Sequence, residues 1–140
     1  MQKTLSTERK KAIKDRISTI LSAQDDLICA YLFGSFGEAD TFSDVDIGVL
    51  LSNPVTPAEA LRLEMALEEA ISSENRIPTD VRILNGAPVP FVYQVIRNSI
   101  LILDKKPRQR AEFESRIFTR YFDFQPYRNR YLREIADAPL

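Results

Sequence analysis

With 140 residues, 44% hydrophobic and 28% charged, the chain falls in the range of one ordinary soluble domain spanning 1–140 and leaves no room for a multidomain machine. Nineteen Lys and Arg against twenty Asp and Glu give a net charge of -1, which argues against bulk electrostatic binding to nucleic acid or anionic membrane. No apolar run approaches the ~20 residues of a membrane span and MQKTLSTERKK lacks the apolar core of a signal peptide, so the expected location is the cytoplasm, with no membrane partner.

Residues 7–22 carry Ala12, Ile13, Ile17, Ile20 and Leu21 at helical spacing with Lys and Arg opposite, which predicts an amphipathic helix. Leu27 to Phe33 (LICAYLF) is short, apolar and followed by Gly34, as expected of a buried strand in which Cys29 is core. A turn-rich segment, Gly34 to Ser43, leads into a second strand, Asp44 to Leu51 (DVDIGVLL), acidic only at its start. Thr56-Pro57-Ala58-Glu59 has the form of a capping box with Pro at the first helical position, and Leu61, Met65, Leu67, Ala70 and Ile71 continue the helical spacing. Thr79 to Leu84 is a third strand, Pro90 to Asn98 a helix and Ile100 to Leu103 a fourth strand. From Pro107 to about Ala136 the pattern gives one long helix or two, with Pro126 as the candidate break.

The chemistry concentrates where Gly34-Ser35 is followed by Asp44-Val45-Asp46. With no histidine and one cysteine in the chain, any metal must be held mostly by carboxylate oxygens, which favour Mg²⁺. Residues i and i+2 of a strand share a face, so Asp44 and Asp46 present two carboxylates side by side, a repulsive pair that a divalent cation neutralises. Asp80 supplies a third carboxylate if its strand is a neighbour, completing a cradle for two Mg²⁺ ions and a phosphoryl or nucleotidyl transfer. Gly34 lets backbone approach a phosphate, and the Ser35 hydroxyl with nearby N–H groups can bind a triphosphate. Each feature has an ordinary alternative: a turn for Gly-Ser, solvated strand-end acids for the Asp pair, and a pairing with Arg82 for Asp80.

Charge is also uneven: between Lys105 and Arg133 nine basic residues face three acidic ones, interleaved with Phe113, Phe118, Tyr121, Phe122, Phe124, Tyr127 and Tyr131. That mixture suits either a docking surface or internal packing with a solvated basic face.

The stretch LFGSFGEADTFSDVDIGVLL resembles the signature of the polymerase-β-like nucleotidyltransferase superfamily, in particular its minimal nucleotidyltransferases. TDVRIL with the following Pro-containing helix and ILIL looks like the third-carboxylate strand and closing helix-strand of that group, and RYFDFQPYRNRYLREI is similar to the C-terminal helix of members that act as antitoxins beside a HEPN-domain ribonuclease toxin. The resemblance implies an α/β (α+β) fold, a small mixed sheet flanked by helices, with 105–140 as a C-terminal helical extension. It implies transfer of AMP from ATP to a tyrosine hydroxyl of the toxin, Gly34 and Ser35 binding the triphosphate, Asp44 and Asp46 binding both metals, and Asp80 joining one metal and helping to activate the acceptor. A hetero-oligomer with the toxin, and no direct nucleic-acid substrate, would follow. The family places ten residues between Gly-Ser and the first Asp where this chain has eight, Phe36 to Ser43, including Glu38 and Asp40. The alternative is therefore an antitoxin of little or no activity that neutralises its partner by contact; a small-molecule nucleotidyltransferase ranks last, because only about thirty-five residues remain for a substrate domain.

Overall fold

Four strands form a mixed sheet whose order puts the carboxylate-bearing strands together at one edge. The computed structural model describes residues 3–4, 7–34, 41–42 and 44–137, with side chains from 7–34, 44–123, 130 and 133. Strand β1 (Lys3–Thr4) is followed by helix α1 (Thr7–Ser22), β2 (Leu27–Phe33), β3 (Thr41–Phe42), β4 (Val45–Leu51), α2 (Pro57–Asn75), β5 (Thr79–Ile83), α3 (Val89–Asn98), β6 (Ile100–Asp104) and α4 (Pro107–Asp137). The main sheet runs β5-β4-β2-β6; β2 is antiparallel to both β4 and β6, and β4 is parallel to β5. The short pair β1 and β3, antiparallel, falls where the sequence reads as an N-terminal lead and a turn-rich segment, since two-residue strands leave no period to detect.

Strand alternation explains the two cores. Val45, Ile47, Val49 and Leu51 of β4, with Val81 and Ile83 of β5, face a layer made by Ile13, Ile17 and Leu21 of α1 and Leu67 and Ile71 of α2. The other face carries Leu50, with Ile28, Cys29 and Tyr31 of β2, against Val92, Tyr93 and Val95 of α3 and Ile117 of α4. The register of β2 on β4 slips between Leu27 and Cys29, which lets the consecutive Ile28 and Cys29 join the same core. The Ile28 carbonyl accepts the amides of Lys105 and Lys106, setting where α4 begins. Cys29 is fully buried, and burial pushes its thiol up to about 12, so it is core as expected.

Helix α2 starts with the expected capping box: the Glu59 amide donates to Thr56 Oγ1 at 3.1 Å and the Thr56 amide to Glu59 Oε1 at 3.3 Å. Its buried side is rotated from the one the sequence suggests. Leu61 and Met65 are 57% and 59% exposed, while Leu67 and Ile71 are buried and Leu63 packs against them. The rotation brings Glu64 and Glu68 against β5, an outer strand of the sheet. Glu68 Oε2 accepts the Val81 amide at 3.0 Å and Glu64 Oε2 the Ile83 amide at 2.9 Å, so two carboxylates cover donors that an edge strand otherwise offers to another chain. Helix α4 continues through Pro126 as one 31-residue helix, about 46 Å long. No helix among the described residues is long and apolar enough to cross a membrane.

A part-buried polar chain ties α4 to the sheet. The Tyr31 hydroxyl donates to Glu114 Oε2 at 2.7 Å, Arg110 Nη1 donates to Glu114 Oε1 at 2.9 Å, and Arg110 Nε lies 3.0 Å from Asp104 Oδ1. Part of the C-terminal aromatic set is used internally: Tyr93 of α3 stacks on Tyr121 at 3.7 Å and meets the edges of Phe118 and Phe122. Phe113, Phe118 and Tyr121 pack on the second core, whereas Phe122 is 58% exposed. The side chains of Phe124, Tyr127 and Tyr131 lie outside the described residues.

Candidate active site

Three strands deliver the candidate residues to one end of the sheet. Phe33, the last residue of β2, is in register with Asp46 of β4, and Asp46 is in register with Asp80 of β5. The parallel pair is extended by hydrogen bonds at both ends, from the Val45 amide to the Pro78 carbonyl (2.9 Å) and from the Leu84 amide to the Val49 carbonyl (2.8 Å), so Asp46 and Asp80 are fixed side by side. Asp44 lies one residue before β4 and is half-buried.

Gly34 follows β2 with φ of +81°, and a Cβ built there would run into Asp46 Oδ2. Glycine is thus required twice, for a backbone conformation that side chains rarely adopt and for direct approach to the carboxylate. Ser35, the other proposed phosphate contact, lies outside the described residues, as do Phe36, Glu38, Asp40 and Ser43. Further along β4, Gly48 leaves room for Leu84 and Val95, whose methyls come within 3.1–3.3 Å of where a Cβ would stand. This lets α3 sit down on the sheet beside the carboxylates.

The electrostatics of Asp46 report the company it keeps. Burial, then the Asp44 and Asp80 charges, push its carboxyl up to about 6, and only Arg82 acts in the opposite direction. Like charges held together in this way, in an all-oxygen donor set, are chemically suited to a hard divalent cation. Among the described residues no three carboxylates close around a single point as an ion-ready cage. One reason is visible at Asp80, whose Oδ2 lies 3.4 Å from Arg82 Nε, the pairing weighed from the sequence. Glu68 of α2 also reaches Asp80, and burial, assisted by that neighbour, raises the Glu68 carboxyl while the Val81 amide opposes.

The sequence therefore locates Gly34, Asp44, Asp46 and Asp80 together, and it misses Glu64 and Glu68. Their signal is legible in retrospect: two glutamates four residues apart occupy the inward face of α2, between Leu63, Leu67 and Ile71, where only apolar residues are expected.

Residues 15–108, roughly two thirds of the chain, match the family model described as polymerase beta, nucleotidyltransferase. The chain belongs to this family. The matched span runs from within α1 to the start of α4 and takes in every described candidate residue. No curated protein matches the sequence. Among solved structures the chain is similar to one chain of a tri-AMPylated Shewanella oneidensis HEPN toxin in complex with MNT antitoxin, at 20% identity and a TM-score of 0.72 over 91% of this chain and 98% of that one. It is similar to the toxin-antitoxin MntA-HepT, at 19% identity and a TM-score of 0.70 over 90% and 98%. A toxin-antitoxin structure with AMP-PNP aligns at 21% identity and a TM-score of 0.71 over 88% and 98%. At these identities the likeness establishes the fold, the α/β arrangement of a mixed sheet with flanking helices.

Proposed function

We propose that this chain is an antitoxin nucleotidyltransferase: with Mg²⁺ it transfers AMP from ATP to a tyrosine hydroxyl of a partner HEPN-domain ribonuclease toxin and so silences it. Residues 1–140 act as one nucleotidyltransferase domain in the cytoplasm, with 105–140 as its C-terminal helical extension, and the protein assembles with its toxin as a hetero-oligomer. The observation that carries the reading is the approach of the Gly34 backbone to Asp46, beside Asp44 and Asp80, at the end of a family sheet. It is supported by the near-complete overlap with solved antitoxins, one of them bound to an AMPylated toxin.

In the reaction the tyrosine oxygen bonds to the α-phosphorus of ATP, the bond from that phosphorus to the bridging oxygen of pyrophosphate breaks, and the hydroxyl proton passes toward Asp80. Asp44 and Asp46 would hold both ions and Asp80 one, once its carboxylate turns from Arg82. Ions held by these carboxylates would offset the clustered negative charge and supply Lewis-acid activation of the attacking oxygen and stabilisation of the departing pyrophosphate. Gly34, following β2, and Ser35 would bind the triphosphate.

The contact-only antitoxin is the competing reading, and it rests on the shortened loop rather than on the carboxylate end of the sheet. Co-expression separates the two. Growth of cells making the HEPN-domain partner is expected to be rescued by the wild-type chain and not by Asp44→Asn; rescue by Asp44→Asn at equal protein level would sink the enzymatic reading.

A further inference from the structure

The phosphates of a nucleotide bring several negative charges to a site already built of carboxylates, and the loop that should receive them cannot answer with a cation. From Gly34 to Ser43 the sequence is GSFGEADTFS, with two acids and no Lys or Arg. Positive charge has to come from elsewhere in the fold. Arg82 stands two residues after Asp80 on β5, on the same face of the strand, and is in register with Gly48, two residues after Asp46. Its Nε faces Asp80 Oδ2 at 3.4 Å, with the two side chains 60% and 48% exposed. It is Nε that donates to Asp80, and the two terminal amino groups make no hydrogen bond to another described residue. An ion pair this long and this exposed contributes little and is readily exchanged.

We propose that Arg82 is the phosphate-binding cation of this site, a counter-ion to Asp80 in the free protein that transfers to the nucleotide's phosphates when a divalent cation takes Asp80. A guanidinium offers paired donors that match phosphate oxygens, and its stem on β5 places it beside the carboxylates rather than in the loop. The strand thereby supplies the charge the loop lacks. The inference rests on the nucleotidyltransferase reading above and adds to it a residue of the nucleotide site.

Calorimetric titration of the full chain with ATP and Mg²⁺, and separately with AMP, tests it. Arg82→Gln is expected to weaken ATP binding by about tenfold, to change AMP binding much less, and to flatten the dependence of ATP affinity on salt. Arg82→Lys should recover a large part of the loss. Because Arg82 is exposed, the melting temperature should hold; if the Gln variant fails to fold, Arg82→Met keeps the stem and makes the same comparison. ATP binding by a folded neutral variant within twofold of wild type would overturn the assignment while leaving the nucleotidyltransferase reading intact. Absence of ATP binding by the wild-type chain would instead remove that reading, and the role of Arg82 with it.

Discussion

Replacing Gly34 with Ala sets two physical costs against each other, and a second glycine separates them. Both Gly34 (φ +81°) and Gly86 (φ +77°) hold backbone conformations that an L side chain enters at a cost of about 1–2 kcal/mol. At Gly86 a Cβ meets nothing within 4 Å, whereas at Gly34 it overlaps the Asp46 carboxylate. Gly86→Ala should therefore lose stability equivalent to a few degrees in melting temperature for a domain of this size, and Gly34→Ala at least as much. On the proposed mechanism only Gly34→Ala should lose activity, because its Cβ forces the Asp46 carboxylate aside, and a displacement of ~1 Å costs on the order of 100-fold in rate. Thermal melts read the first effect and the rate of AMP transfer to the partner reads the second. Transfer by Gly34→Ala within threefold of Gly86→Ala would refute the idea that Gly34 is retained for its approach to Asp46.

Asp46 should make the metal-free protein sensitive to pH. Its folded carboxyl titrates at about 6 against an ordinary 3.8, so the folded state holds the proton more tightly; the associated stability is fully present below pH 3.8 and lost as pH rises through 6. Allowing for solvent screening of a half-exposed group, the change is on the order of 1 kcal/mol, and Asp46→Asn should flatten this part of the denaturation profile; an unaltered profile would place the titration elsewhere. Glu64→Ala should speed hydrogen exchange at the Ile83 amide selectively, with a loss of about 1–2 kcal/mol, and unchanged protection would mean the edge strand does not depend on α2. Tyr31→Phe deprives the Glu114 carboxylate of a 2.7 Å donor and should cost about 1.5–2 kcal/mol in chemical denaturation; a neutral effect would deny this polar chain its part in anchoring α4.

What could be read from the sequence follows the range of the forces involved. The elements of the main sheet were legible because their signals are local: apolar runs in LICAYLF and the strand after Asp44, a capping box at Thr56, and a period of two in TDVRIL. Asp44, Asp46 and Asp80 were legible because alternation fixes the face of each residue, and only the adjacency of β4 and β5 had to be supplied by the fold. The rotation of α2 was not legible, since exposing Leu61 and Met65 is favourable only once Glu64 and Glu68 have amides of β5 to accept. The continuity of α4 was equally hidden: Pro126 signals a break locally, and the sequence leaves one helix or two open. The C-terminal aromatics were ambiguous for the same reason, because Tyr93, far away in sequence, decides that Phe118 and Tyr121 face inward.

The most direct measurement is intact mass spectrometry of the protein encoded beside this chain, the proposed HEPN-domain partner, after incubation with the chain, ATP and Mg²⁺, set against the Asp44→Asn/Asp46→Asn double variant. The account predicts a partner mass raised by whole AMP units and no change with the variant. A stable complex with an unmodified partner would contradict it.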